Sequence, residues 1–142
     1  MKSLNNKKAT PHDLIIIRGL PWLGSGKSEL AKKFGSKAIC TADDYHTDRN
    51  GKYNWKPENI NKAHLWCQRK CRRFMKKGIQ NIIIANTSTA ERELKPYINL
   101  GKEFSYRIFS IITENRHGSE NTHDVPEKTL DKMENRFNVK LR

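Results

Sequence analysis

Cysteine is scarce in this 142-residue chain: Cys40, Cys67 and Cys71 are the only three. An odd count without dense spacing excludes a disulfide framework and points to a reducing compartment. Cys67 and Cys71 are four positions apart and so share one face of a helix. No His/Cys cluster around them completes a zinc-ligand pattern, and they read as packing residues. Long apolar runs are also missing. None approaches the roughly 20 residues of a membrane-spanning helix, and Met1 to Thr10 lacks the apolar stretch of a signal peptide. The cytoplasm is therefore the expected location (the host's, for a viral chain), with no membrane engagement. Internal repeats and low-complexity tracts are absent, and the length suits one domain rather than two.

Acidic residues are few, 15 Asp and Glu against 28 Lys and Arg, which leaves a formal net charge of +13. Such an excess repels itself unless an anionic partner is near. Nucleic acid is the commonest such partner, and an anionic membrane surface is the runner-up.

What is present organises into alternating elements. Residues 1–12 read as a flexible basic arm. Leu14-Ile15-Ile16-Ile17 is a continuous β-branched run, suited to a strand covered on both faces. The pattern predicts a helix over 27–34 ended near Gly35, and a short strand over 37–40. A polar loop follows over 41–55, with a turn at Asn50-Gly51. A helix is expected from Pro57 to about Lys77, its stripe made by Ile60, Ala63, Leu65, Trp66, Cys67, Cys71, Phe74 and Met75. His64 and Trp66 read as core residues. A strand over 79–85, a helix over 91–100 interrupted by Pro96, a strand over 104–112, a polar mobile segment over 113–124 and a helix over 126–137 complete the series. Strands alternating with helices imply βαβ units, hence an α/β three-layer sandwich on a mainly parallel sheet of about four or five strands.

Gly24-Ser25-Gly26-Lys27-Ser28 lies between the first strand and the first helix, the context that gives a Walker A phosphate loop its meaning. Glycines let backbone amides curl around phosphate oxygens, and the helix start adds its positive dipole end. Lys27 is expected to reach the β- and γ-phosphates of ATP, and the Ser28 hydroxyl to bind Mg²⁺. The usual spacing puts a glycine six residues before the lysine, where Pro21 stands. Gly19 fills that place if Trp22 and Leu23 are looped out.

Taken together, several further segments carry a resemblance. They are Arg18-Gly19-Leu20-Pro21, Thr41-Ala42-Asp43-Asp44-Tyr45, Gly51-Lys52-Tyr53, Ala63-His64, Ile82 to Thr87, Lys95-Pro96-Tyr97, Asn121 to Pro126 and Met133 to Phe137. Over about residues 14–137 the chain resembles the P-loop polynucleotide 5′-hydroxyl kinases, nearest to their stand-alone bacteriophage and eukaryotic kinase domains. The resemblance implies one P-loop kinase-like domain over 13–142 and ATP-dependent phosphorylation of a nucleic-acid 5′ end, on a single strand or at a nick. It assigns Asp43 as the base for the attacking hydroxyl, with Asp44 as its rival. Asn86 and Thr87 fall to the polar pair near the acceptor, and Arg116 to the lid cation that clamps the donor phosphates. Two positions depart from the pattern: Ala85 stands where an acidic residue is common, and Glu120 where a second lid arginine is expected.

Arg69 to Lys77 holds six positive charges in nine residues, and Arg72 and Arg73 are candidate contacts to a phosphate backbone. Two rival functions remain at this level. The stretched loop, Ala85 and Glu120 suit a degenerate kinase fold that binds nucleic acid or protein without catalysis. A small-molecule or toxin-type kinase would use the same fold with a closed acceptor pocket.

Overall fold

A computed structural model describes residues 10–20, 26–114, 116 and 126–142. Its elements are β1 (Asp13–Arg18), α1 (Lys27–Lys33), β2 (Ile39–Cys40), α2 (Ile60–Lys76), β3 (Asn81–Ala85), α3 (Glu91–Glu103), β4 (Arg107–Ile112) and α4 (Glu127–Arg136). Short 3-10 turns occupy Ala42–His46 and Pro57–Asn59. The four strands form one sheet in the order β2-β3-β1-β4. Every pairing is parallel, with Ile15 opposite Ile83 on one side and Phe109 on the other.

The unbroken apolar runs of β1 and β3 follow from this layering, because a parallel sheet covered on both faces needs apolar residues at both parities. Leu14, Ile16, Ile82, Ile84 and Cys40 face α2 and α3, where Ala63, Cys67, Cys71, Met75, Leu94, Tyr97 and Leu100 meet them. Ile15, Ile17, Ile83 and Ala85 point the other way, onto Ala31 and Leu30 of α1. Helices therefore sit on both faces of the sheet. The buried thiols of Cys67 and Cys71 belong to this packing.

Several boundaries differ from the sequence expectation. β2 is shorter than 37–40, because Ser36 instead bonds the Asn81 carbonyl and the Ala38 amide, which turns the chain just before the strand. The buried stripe of α2 is Ala63, Cys67, Cys71 and Met75, one residue per turn. Ile60 and Leu65 lie off that line and are exposed. His64 is exposed as well rather than in the core, whereas Trp66 packs partly against it. Pro96 does not interrupt α3, which runs on to Glu103. Proline removes the bond its own N–H would make and crowds the carbonyl four residues earlier, a cost the helix carries here. Buried Leu94, Tyr97, Leu100 and Gly101 hold the helix to the sheet on either side of it. The arm boundary also shifts. The His12 carbonyl accepts from the Arg107 amide, and its ring bonds the Gly78 carbonyl at 3.1 Å and meets Tyr106 edge-on. Residues 1–9 of that expected arm lie outside the described residues.

Gly101 is where α3 comes nearest the sheet. A Cβ there would stand 2.7 Å from Ile108 Cγ1 and 3.4 Å from Leu14 Cδ2. Gly101→Val is therefore expected to destabilise the fold by about 2 kcal/mol or more through overpacking. Urea unfolding measures this, and an unchanged midpoint would show that the contact is slack.

Candidate active site

The C-terminal edge of the sheet is where open parallel sheets place their ligands, since the loops leaving successive strands converge there. Three such loops meet at this edge. The loop after β1 leads to Gly26 and α1, the one after β2 carries Asp43 and Asp44, and the one after β3 begins with Asn86 and Thr87.

Gly26 takes a left-handed conformation (φ 79°) as the residue before α1, and no side chain caps the helix. Its carbonyl accepts from the Leu30 amide at 2.8 Å, so Lys27 and Ser28 occupy the first turn. Gly24 and Ser25, and the Pro21-Trp22-Leu23 stretch, lie outside the described residues. Burial lowers the Lys27 ammonium to about 8, and the Asp43 charge acts in the opposite direction. The two charges therefore act on one another.

Asp43 is placed by a layered set of bonds. Thr41 caps the 3-10 turn by accepting from the Asp43 amide, and Thr47 Oγ1 donates to the Asp43 carbonyl at 3.1 Å. The Asp43 carboxylate is exposed and accepts from Tyr53 Oη at 3.4 Å. Tyr53 arrives by a local turn. Asp48 Oδ1 accepts from the Asn50 and Lys52 amides, Gly51 supplies the positive φ, and Thr47 pairs antiparallel with Tyr53. Burial and the adjacent carboxylate push the Tyr53 hydroxyl up to about 12, which keeps it a donor. Sequence reasoning missed Tyr53 as a site residue, although the Asn50-Gly51 turn signal folds it back onto the Asp43 segment.

The other expected residues divide. Asp44 pairs with Lys70 of α2 at 3.5 Å. Asn86 is buried. Its Oδ1 accepts from the Ala42 amide at 2.8 Å, and its Nδ2 faces Cys67 Sγ and the Tyr97 hydroxyl. The side chain thereby ties the Asp43 loop to β3 from beneath. The Thr87 carbonyl accepts from the Gly19 amide, linking the loops after β1 and β3. Arg72 makes a two-bond pair with Glu103 of α3, at 2.8 and 3.0 Å, on the groove between those helices. Arg73 is exposed, and Arg116 pairs with nearby Glu114. No described contact ties Arg72, Arg73 or Arg116 to Lys27 or Asp43. Glu120, Asn121 and His123 lie outside the described residues. Groups of three or more His, Cys, Asp or Glu that could hold a metal are absent among the described residues.

Beneath this edge, Arg18 ends β1 with a fully buried guanidinium. It donates to the carbonyls of Ser88 (2.8 Å), Thr89 (3.2 Å) and Asn138 (2.7 Å), approaches Glu91 at 3.8 Å, and lies 4.7 Å from the centre of the Phe137 ring. Arg136 donates to Thr89 Oγ1, and Asn138 bonds Thr89 and Glu91, so the C-terminal segment is clasped to the loop after β3.

Solved structures share this architecture. The structure of a Pnkp1/Rnl/Hen1 complex aligns with a TM-score of 0.59 at 22% identity, covering 89% of this chain and 40% of that one. A candidate kinase of Chloroflexus aurantiacus aligns with a TM-score of 0.55 at 18% identity, covering 73% and 59%. The shared fold is an α/β three-layer sandwich on a parallel sheet. In sequence, the chain is 37% identical over 99 residues to human NEDD4-binding protein 2, a match covering 67% of this chain and 5% of that protein. The chain thus spans about a twentieth of the length of that curated relative, and 40% of the Pnkp1/Rnl/Hen1 chain. No family model matches it.

Two outcomes follow from this geometry. Arg18→Met takes a donor from the Ser88, Thr89 and Asn138 carbonyls, of which Thr89 keeps the Asn138 amide, and is expected to cost about 2–3 kcal/mol, read by urea unfolding. A loss below about 0.5 kcal/mol would mean that water replaces the guanidinium without penalty. The second outcome concerns Lys27, whose folded-state affinity for its proton is depressed from 10.5 to about 8. Its burial cost is present in full below pH 8 and is relieved as pH rises from 8 towards 10.5, because the unfolded chain then binds more protons. Stability measured against Lys27→Met should therefore favour the variant by about 1–3 kcal/mol at neutral pH, with the gap closing above pH 8. A pH-independent gap would contradict it.

Proposed function

We propose that this protein transfers the terminal phosphoryl group of ATP to the 5′-hydroxyl of a nucleic acid. The observation that carries the reading is the placement of Lys27 and Asp43 at facing loops of one sheet edge, with the lysine's charge desolvated and the carboxylate exposed. A partly buried cation at a helix start suits a polyphosphate. An exposed carboxylate across the cleft suits an incoming hydroxyl.

The residues present fit a nucleoside triphosphate with Mg²⁺. Lys27 faces the transferred group, the uncapped α1 start offers amides to phosphate oxygens, and the Ser28 hydroxyl supplies an oxygen ligand of the kind Mg²⁺ takes alongside phosphate oxygens. Bound Mg²⁺ supplies neutralisation of the phosphate charge. In the transfer, the 5′-oxygen forms a bond to the γ-phosphorus as the bond to the bridging oxygen breaks. Asp43 takes the hydroxyl proton, and ADP leaves. Tyr53 holds the Asp43 oxygen it bonds, leaving the other to meet the acceptor. Asn86 fixes the loop through Ala42, and Asp44 and Lys70 flank it. Thr87 borders the start of the phosphate loop through Gly19. Arg116 is assigned as the donor-side cation, and Arg73 as part of a basic flank that adds affinity without reading sequence.

Lys27→Ala and Asp43→Ala are each expected to lower labelled phosphate transfer to a 5′-hydroxyl oligonucleotide by about 100-fold or more. Transfer that survives either change refutes the assignment of roles, and no transfer by the unaltered protein to DNA or RNA refutes the reading itself.

A further inference from the structure

The two edges of the sheet are finished differently. β2 closes one edge with 2 residues, too short to template another strand. β4 closes the other with 6, Arg107 to Ile112, and pairs only with β1 among the described residues. The devices that usually guard such an edge are missing from it. The strand holds no proline and no lysine, and its register with β1 runs without a bulge. Its one charge, Arg107, is cancelled by a bidentate pair with Asp13 at 2.6 and 2.9 Å. Phe109 and Ile112 are left 47% and 39% exposed, although Ile15, the β1 neighbour of Phe109, is buried.

The backbone of β4 decides which groups face outward. The Arg107 amide donates to the His12 carbonyl and the Thr113 amide to the Arg18 carbonyl, each at 2.8 Å. Amides alternate in direction along a strand, so the odd-numbered residues bond β1. Ile108, Ser110 and Ile112 therefore turn their N–H and C=O groups away from the sheet. Side chains alternate as well. Phe109 and Ile111 lie in register with Ile15 and Ile17 on the α1 face, and Ile108, Ser110 and Ile112 with Leu14, Ile16 and Arg18 on the other.

We propose that β4 is the interface of a symmetric dimer, pairing antiparallel with β4 of a second copy about a two-fold axis at Ser110. This register engages every outward-facing residue. Ser110 opposes itself across the axis and Ile108 opposes Ile112, each pair exchanging both backbone bonds. Phe109 opposes Ile111 at the closer, non-bonded positions, an aromatic against a β-branched side chain. A slip of one residue sets outward groups against inward ones, and a slip of two carries Ile108 or Ile112 past the end of the facing strand. Residues 108–112 carry no charge, so like charges do not meet in this pairing. A foreign peptide would offer the same backbone bonds. The match of apolar to apolar on both faces under a two-fold axis favours the copy. The net charge of +13 opposes association at long range, and one edge strand buries less than a standard interface. The dimer is therefore weak, with a dissociation constant on the order of 10 µM or above, and tightens as salt screens the repulsion. None of this rests on the phosphoryl-transfer reading.

The test is sedimentation equilibrium of the full chain, freed of nucleic acid with nuclease, from about 1 to 300 µM. A monomer–dimer equilibrium is expected, tightening at least about threefold between about 0.1 and 0.5 M sodium chloride. Ser110→Pro removes only an outward amide, which an edge strand tolerates, and should weaken the dimer at least about tenfold. Ile112→Lys, at an exposed position, should do the same by setting a cation against Ile108 of the copy. Thermal unfolding identifies any variant that fails to fold, and the folded one decides. A monomer at every concentration overturns the proposal. So does a dimer that a folded variant leaves unchanged, since another face then carries it. Association that weakens with added salt overturns it as well, because that is the mark of bridging by opposite charge.

Discussion

The buried guanidinium of Arg18 holds the working edge of this molecule together. It sits at the last residue of β1, one of the two inner strands. A charge fully out of water is tolerated only with its donors satisfied. Here the partners come from the loop after β3 and from the C-terminal segment after α4. The same group that ends β1 therefore decides where the loop after β3 runs and anchors a chain segment 120 residues away. Gly19 is tied to Thr87 in the same neighbourhood, and Thr113 after β4 bonds the Arg18 carbonyl. The loops of three neighbouring strands are thus locked to one point.

On that base, the Asp43 loop is an added layer held from below and from the side. Asn86 binds its backbone through Ala42, and Lys70 binds Asp44. Tyr53 is brought over by a short turn to meet the Asp43 carboxylate. Two opposite charges then act on one another: a partly buried cation at the start of α1, and an exposed carboxylate on the Asp43 loop. Anion binding at the first and proton transfer at the second are what such environments favour.

Much of the scaffold was legible before any coordinates. Leu14 to Ile17 and Ile82 to Ala85 read as doubly covered strands because both parities are apolar, and that is how they pack. Lys27 and Ser28 open α1 directly after Gly26, where the sequence pattern put the start of that helix. Errors arose where tertiary contact outweighs local preference. Pro96 reads as a break, yet the burial of Leu94, Tyr97 and Leu100 carries α3 through it. Leu65 reads as core and His64 as packed, but the sheet meets α2 only along Ala63, Cys67, Cys71 and Met75. Asn86 reads as a polar group near the acceptor, whereas its amide lies buried under the loop. Arg72 reads as a phosphate contact, and its guanidinium is turned to Glu103.

Sequence alone determined the order of elements and the parallel sheet, because those depend on periodicity and on residues close to strand ends. Tertiary structure decided which polar side chains face the cleft and which are turned inward, as with Arg18 and Asn86. It also decided that Tyr45, His46, Tyr53 and Trp66 lie ring against ring. Those relations join residues far apart in the chain, and no local pattern encodes a contact that exists only after the sheet has brought its loops to the same edge.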